Sequence, residues 1–154
     1  MRNPEWADEL LGFRIESALN NDDWRLVGNI VESLSKDSWE SCIARLLLSI
    51  QRFDLENYSK ALLSARTHIG SIVTAAGKRG YRRAYDSILK LHVIHDIDSI
   101  WRCYQQLHSH SESDKKIVVS DLLQYLSSRM EATLPTFRTR EFLLNMHRAT
   151  YSLR

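Results

Sequence analysis

The stretch from Tyr81 to Trp101 holds no Pro and no Gly, and it carries apolar residues at helical spacing from end to end. Tyr81, Ala84, Tyr85, Ile88 and Leu91 fall on one face, at the 3-and-4 spacing of a helix. Val93, Ile97, Ile100, Trp101 and Tyr104 fall on another. At about 100° per residue the second stripe points nearly opposite to the first. A helix whose apolar stripe changes sides midway must be covered by one neighbour early and by a different one later. Helices in stacked arrays sit in that environment.

The rest of the chain repeats the pattern. Its 154 residues include only 5 Gly and 2 Pro, so uninterrupted elements, and therefore helices, are expected. Period-2 alternation is confined to a short run at Ile117-Val118-Val119. The first helix spans residues 5–19, with Pro4 in its first turn, Trp6, Leu10 and Phe13 on one face and Leu11, Ile15, Ala18 and Leu19 on another. Asn20-Asn21-Asp22 makes a turn and cap. A second helix, 22–35, carries Trp24, Val27, Val31 and Leu34. Ser38 caps a third, with Ser38-x-x-Ser41 as half a capping box, and Phe53-Asp54 ends it. A fourth covers 54–77 and a fifth 80–107. The polar run 108–114 is the best loop. Helices at 113–131 and 138–153 follow, separated by Pro135 with Thr136 as cap.

Pairing these helices gives hairpins at 22–52, 54–107 and 112–153. The first two begin 32 residues apart, and Trp24 and Tyr58 stand 34 apart, near the 34-residue tetratricopeptide period. The expected fold is all-α: a tetratricopeptide-like α-solenoid of antiparallel helix pairs, about seven helices in all. The helix before residue 20 is left without a partner. It reads as the second half of a pair whose first half is missing.

Composition sets limits on function. The chain is 44% hydrophobic and 26% charged, an ordinary globular balance. Its formal charge of +2 does not demand a polyanionic partner. Cys42 and Cys103 make no disulfide framework and suit a reducing compartment. The N-terminus lacks the apolar core of a signal peptide, and no apolar run approaches the roughly 18 residues of a membrane span. The sequence alone points to the cytosol or nucleus and to no membrane.

Candidate chemistry is sparse. His92 and His95 share a helix face at i and i+3, a spacing that can hold a metal, but Asp96 points away from that face and packing is the simpler role. No Gly-x-Ser-x-Gly frame is present, and Gly77-Lys78-Arg79-Gly80 lacks the spacing of a phosphate loop. No His-Arg-Asp or Asp-Phe-Gly segment for phosphoryl transfer occurs. Catalytic, cofactor and metal residues are therefore expected to be none. Arg82, Arg83 and Lys90 form a candidate basic contact patch near Lys78 and Arg79. Tyr81 and Tyr85 point to the apolar side, so aromatics for stacking bases are missing, and direct nucleic-acid contact is not expected.

The run Tyr81-x-x-x-Tyr85-Asp86-x-Ile88-x-Lys90-Leu91-His92, continuing to Ile94, Asp96 and Ile97, resembles the FAT domain of phosphatidylinositol-3-kinase-related protein kinases, most of all the ATR-type DNA-damage checkpoint kinases. Upstream, Trp24-Arg25-Leu26, Ala44-Arg45-Leu46-Leu47, Phe53 and Ala61-Leu62-Leu63-x-Ala65-Arg66 are similar to the family's helical repeats. Downstream, Arg129-Met130-Glu131, Phe137-Arg138-x-Arg140-Glu141 and Arg148-Ala149 extend the resemblance, which covers roughly residues 15–153. It implies that residues 1–154 are part of a single helical-repeat FAT domain without a kinase domain. It also implies a non-catalytic scaffold in a nuclear serine/threonine kinase. The partners implied are proteins: the kinase domain, neighbouring repeats and a regulatory subunit. On this reading Trp24, Leu47, Phe53, Leu62, Tyr81, Tyr85, Leu91, His92, Trp101 and Arg138 are structural anchors. The competing reading is a free-standing helical-repeat adaptor that binds a peptide or protein in its groove.

Overall fold

The structure, a computed structural model, describes residues 4–34, 37–76, 80–108 and 111–153, without the side chains of Pro4, Glu5, Asp8 and Arg83. Gly77, Lys78 and Arg79 of the expected turn, and Ser109 and His110 of the polar loop, lie outside the described residues. The described residues form seven helices: α1 (Pro4–Asn20), α2 (Trp24–Ser33), α3 (Trp39–Gln51), α4 (Leu55–Ala76), α5 (Tyr81–Leu107), α6 (Glu112–Ala132) and α7 (Phe137–Tyr151). They contain no strand and are 87% helical, an all-α, solenoid-like packing of helix on helix. The run at Ile117-Val118-Val119 lies inside α6.

The chain divides into two compact units, Met1–Ile94 with Ser152–Arg154, and His95–Tyr151. The division falls within α5, just after Val93 opens the second apolar stripe.

The first unit is built round α3. Cys42, Ile43, Leu46, Leu47 and Ile50 are buried, and so are Ser41, Ala44, Leu48 and Ser49 between them. A helix apolar nearly all round must be covered on several sides. Accordingly, α1, α2 and α4 all pack on α3, and α1 also packs on α2. The buried side of α1 is Ile15, Ala18 and Leu19, while Trp6, Leu10 and Phe13 stay exposed. α1 is therefore not the unpaired helix that the sequence suggested. Its Leu19 and Ile15 sit at 4-residue spacing, which supplies the inward face. α4 makes its most extensive contact with α3 rather than with α5, because the turn between α3 and α4 is too tight to separate them.

That turn and the one between α1 and α2 are the same device. In the first, Asp22 takes φ 56°, with Asp22 N–H donating to the Leu19 carbonyl and Asp23 N–H to that of Ala18. In the second, Phe53 takes φ 54°, with Phe53 N–H donating to the Ile50 carbonyl and Asp54 N–H to that of Ser49. Both are Schellman closures, with a non-glycine residue in the left-handed position. The next residue then caps the following helix. Asp23 accepts from Leu26 N–H at 3.1 Å, and Asp54 from Asn57 N–H at 3.0 Å. Superposing the turns makes the repeat 31 residues and pairs Val27 with Tyr58, both buried. The aromatic spacing of 34 had paired Tyr58 with Trp24, which is only half-buried. The cap at α3 is also fuller than expected. Ser38 N–H donates to Ser41 Oγ at 2.8 Å and Ser41 N–H to Ser38 Oγ at 3.2 Å, so the box closes with Ser in place of Glu.

The second unit comprises the rest of α5 with α6 and α7. Ile97, Ile100, Trp101 and Cys103 are buried on α5, Leu126 on α6, and Leu143, Met146 and Ala149 on α7. Trp101 stacks on Tyr104 with ring centroids 5.7 Å apart. Thr136 Oγ1 accepts from Thr139 N–H at 3.3 Å and caps α7, as expected.

Candidate functional site

Asp96 lies among apolar residues, with Val93 and Ile97 beside it and Ile100 one turn on, and its side chain is 0% exposed. An unpaired buried carboxylate would be very costly, and two helices, α6 and α7, contribute partners within the second unit. Tyr125 Oη donates to Asp96 Oδ1 at 2.9 Å. Arg129 Nε donates to the same oxygen at 3.3 Å. His147 Nε2 lies 3.2 Å from Oδ2 and donates to it. Tyr125 and Arg129 are one turn apart on α6, so one face delivers both. Arg129 Nη2 also donates to Tyr125 Oη at 2.5 Å, and its guanidinium stands 5.3 Å from the centre of the Tyr125 ring.

His95 completes the cluster. Its Nδ1 is 3.1 Å from Tyr125 Oη and 3.3 Å from Ser99 Oγ. The Tyr125 proton is committed to Asp96, and the Ser99 hydroxyl donates to the His95 carbonyl at 2.9 Å. Each oxygen thus has only lone pairs left for the ring, so Nδ1 carries the proton.

Burial pushes the Asp96 carboxyl up. The hydrogen bonds from His147 and Tyr125, with the charge of Arg129, outweigh burial, and the carboxyl sits below its ordinary range. Burial raises the Tyr125 phenol, and so does the carboxylate it bonds. Asp96 is thus ionised, shielded from solvent and hydrogen-bonded at both oxygens. A general base must come within hydrogen-bond reach of a substrate proton, and a carboxylate that is 0% exposed is closed to one. The arrangement is a polar lock tying three helices together.

Of the sequence-predicted anchors, Leu47, Leu62 and Trp101 are buried, and Trp24, Tyr85, Leu91 and His92 half-buried. Phe53, Tyr81 and Arg138 are exposed, Tyr81 at 85%. The expectation that Tyr81 points to the apolar side is therefore corrected. It sits in the first turn of α5, and burial on that helix begins only at Ser87 and Leu89. The residues of the basic patch have different settings. Arg82 is exposed and the Arg83 side chain lies outside the described residues, but Lys90 is half-buried with its ammonium 5.3 Å from the centre of the Trp39 ring. His92 and His95 do not meet at a metal-type site, and among the described residues no three His, Cys, Asp or Glu side chains converge. Burial raises both the Cys42 and Cys103 thiols, which keeps them protonated and inert.

Sequence reasoning placed Asp96 on the resemblance but missed its role. The available signal was its position three residues after Val93 and four before Ile100, on the buried stripe itself. Its partners lie 29, 33 and 51 residues away, beyond any local pattern.

A family model described as FAT domain matches residues 13–154. No solved structure matches the chain.

Proposed function

The chain belongs to the FAT domain family, a helical, non-catalytic part of phosphatidylinositol-3-kinase-related kinases, and from that premise we propose that it is a scaffold segment of an ATR-type checkpoint kinase. As part of a single FAT domain it supports a serine/threonine kinase domain that responds to DNA damage in the nucleus. Its partners are that kinase domain, neighbouring repeats and a regulatory subunit. The observation that carries this reading is the family match across most of the chain. The chemistry of the lock agrees with it, since the most elaborate polar cluster has every Asp96 oxygen engaged in holding helices together. The ATR-type assignment rests on the Tyr81–Ile97 resemblance.

The test is the transcript read beyond the codon for Arg154, joined to a tag at the native locus. The expected result is a reading frame continuing into a kinase domain, and a tagged protein that is nuclear and co-purifies with serine/threonine kinase activity raised by DNA damage. A reading frame that stops without a kinase domain would favour the free-standing adaptor. A kinase domain whose activity ignores DNA damage would remove the checkpoint assignment and leave the family assignment intact.

A further inference from the structure

A groove of about 320 Å³ opens between α2, α3 and the start of α4, all within the first unit. Its walls combine two chemistries. Val31, Leu48 and Ala61 give an apolar floor, while Arg45, Arg52 and Lys60 bring three cations to it. One carboxylate, Asp54, lines the groove, and it is already engaged. It accepts from Asn57 N–H at 3.0 Å and from Asn57 Nδ2 at 2.5 Å, which turns its charge onto the start of α4.

The cations differ in how firmly they are held. Arg45 pairs with Asp37 at 2.5 Å and Lys60 with Glu56 at 2.6 Å. Both pairs are open to water, contribute little to stability, and exchange readily for an incoming carboxylate. Arg52 has no ion pair among the described residues, and its Nη2 lies against Gly28 of α2, where an added Cβ would come within 3.3 Å. Its planar guanidinium is suited to bidentate capture of a carboxylate.

Phe53 adds an aromatic anchor. It stands in the chain between two groove residues, Arg52 and Asp54, and is 55% exposed. It occupies the left-handed position at φ 54°, which is unfavourable for a bulky residue. The equivalent turn uses Asp22 there, so the turn geometry itself does not require an aromatic at that place. Strain held at an exposed aromatic beside a cationic groove is a feature of binding surfaces.

We propose that this groove docks a short acidic peptide segment of a partner protein, with apolar side chains on Val31, Leu48 and Ala61 and carboxylates on Arg52, Arg45 and Lys60. Phe53 covers the segment at the rim. This names a partner class for the scaffold but does not rest on the kinase assignment, because a free-standing adaptor would use the same groove.

The test uses the full 154-residue chain and a fluorescein-labelled peptide alternating Glu and Leu, with a Gln and Leu peptide as control, read by anisotropy. Binding of the Glu peptide, weakening with added salt, is expected, and the Gln peptide should bind at least about tenfold more weakly. Arg52→Glu and Lys60→Glu should each weaken the Glu peptide by about tenfold or more, with unchanged thermal melts. Phe53→Ala should weaken both peptides. Lys116→Glu, an exposed reversal on α6, should change nothing. Equal binding by Arg52→Glu, Lys60→Glu and Lys116→Glu would overturn the proposal. So would equal binding of the two peptides, or binding of inorganic tripolyphosphate with no binding of either peptide.

Discussion

The two units hold their helices together by different means. In Met1–Ile94 the centre is α3, a helix buried almost all round by aliphatic side chains. In His95–Tyr151 the most connected buried group is the Asp96 carboxylate, tied to Tyr125, Arg129 and His147. An aliphatic centre is non-directional and tolerates small shifts in register. A buried carboxylate is satisfied only when each donor arrives in place, so it trades tolerance for geometric definition.

The largest expected effect lies in the second unit. Asp96→Ala strands Arg129 and His147 at a buried site and should cost about 3–5 kcal/mol, the range for breaking a buried charge pair. Asp96→Asn keeps the shape, so its difference from wild type in a denaturant titration isolates the charge, and its difference from Asp96→Ala isolates the polar side chain. If both cost less than about 1 kcal/mol, the lock is ornamental and the two units differ less than their side chains suggest. In the first unit, Leu47→Ala should cost about 2–5 kcal/mol by leaving a cavity in α3.

Acid separates the units next. The folded chain holds the Asp96 pKa below its unfolded value, which is about 3.9. The contribution of the ionised carboxylate is therefore complete above that pH and is lost as the pH falls through the folded pKa. Circular dichroism melts taken from about pH 5 down to about pH 1 should show an acid-dependent loss, setting in near pH 4, that Asp96→Asn greatly reduces. Equal acid sensitivity in wild type and variant would assign it to other carboxylates.

The smallest effect is a gain. Gly70 lies inside α4 with nothing within 4 Å of where a Cβ would sit. Gly70→Ala should therefore stabilise the chain by about 0.5–1 kcal/mol through helix propensity alone. A loss in thermal melting would mean that α4 is not the regular helix described.

The contrast also explains what could be read from the sequence. All seven helices were legible, because the 3-and-4 spacing of residues such as Leu47, Leu62 and Ile97 follows directly from helical geometry. The second stripe of α5 was legible, but the first was misread, since Tyr81 and Ile88 are exposed and Ser87 and Leu89 are buried instead. The turns were legible in place but not in geometry. Asp22 and Phe53 occupy left-handed positions without the glycine that signals them, so the 31-residue repeat was hidden behind a 34-residue aromatic spacing. Both apolar faces of α1 were legible, but which of them turns inward was not, because Trp6, Leu10 and Phe13 form as good a stripe as the buried Ile15, Ala18 and Leu19. The position of Asp96 on the buried stripe of α5 was legible, but its donors were not, because they come from α6 and α7, 29 to 51 residues away.

Native-state hydrogen exchange, read helix by helix in Asp96→Asn and Leu47→Ala, tests most directly whether the two units rest on separate kinds of centre. Asp96→Asn should lower amide protection in α6 and α7 while α3 and α4 stay near wild type, and Leu47→Ala should do the reverse. Protection lost equally across all helices in both variants would contradict this, and would show one cooperative core in which the buried carboxylate has no territory of its own.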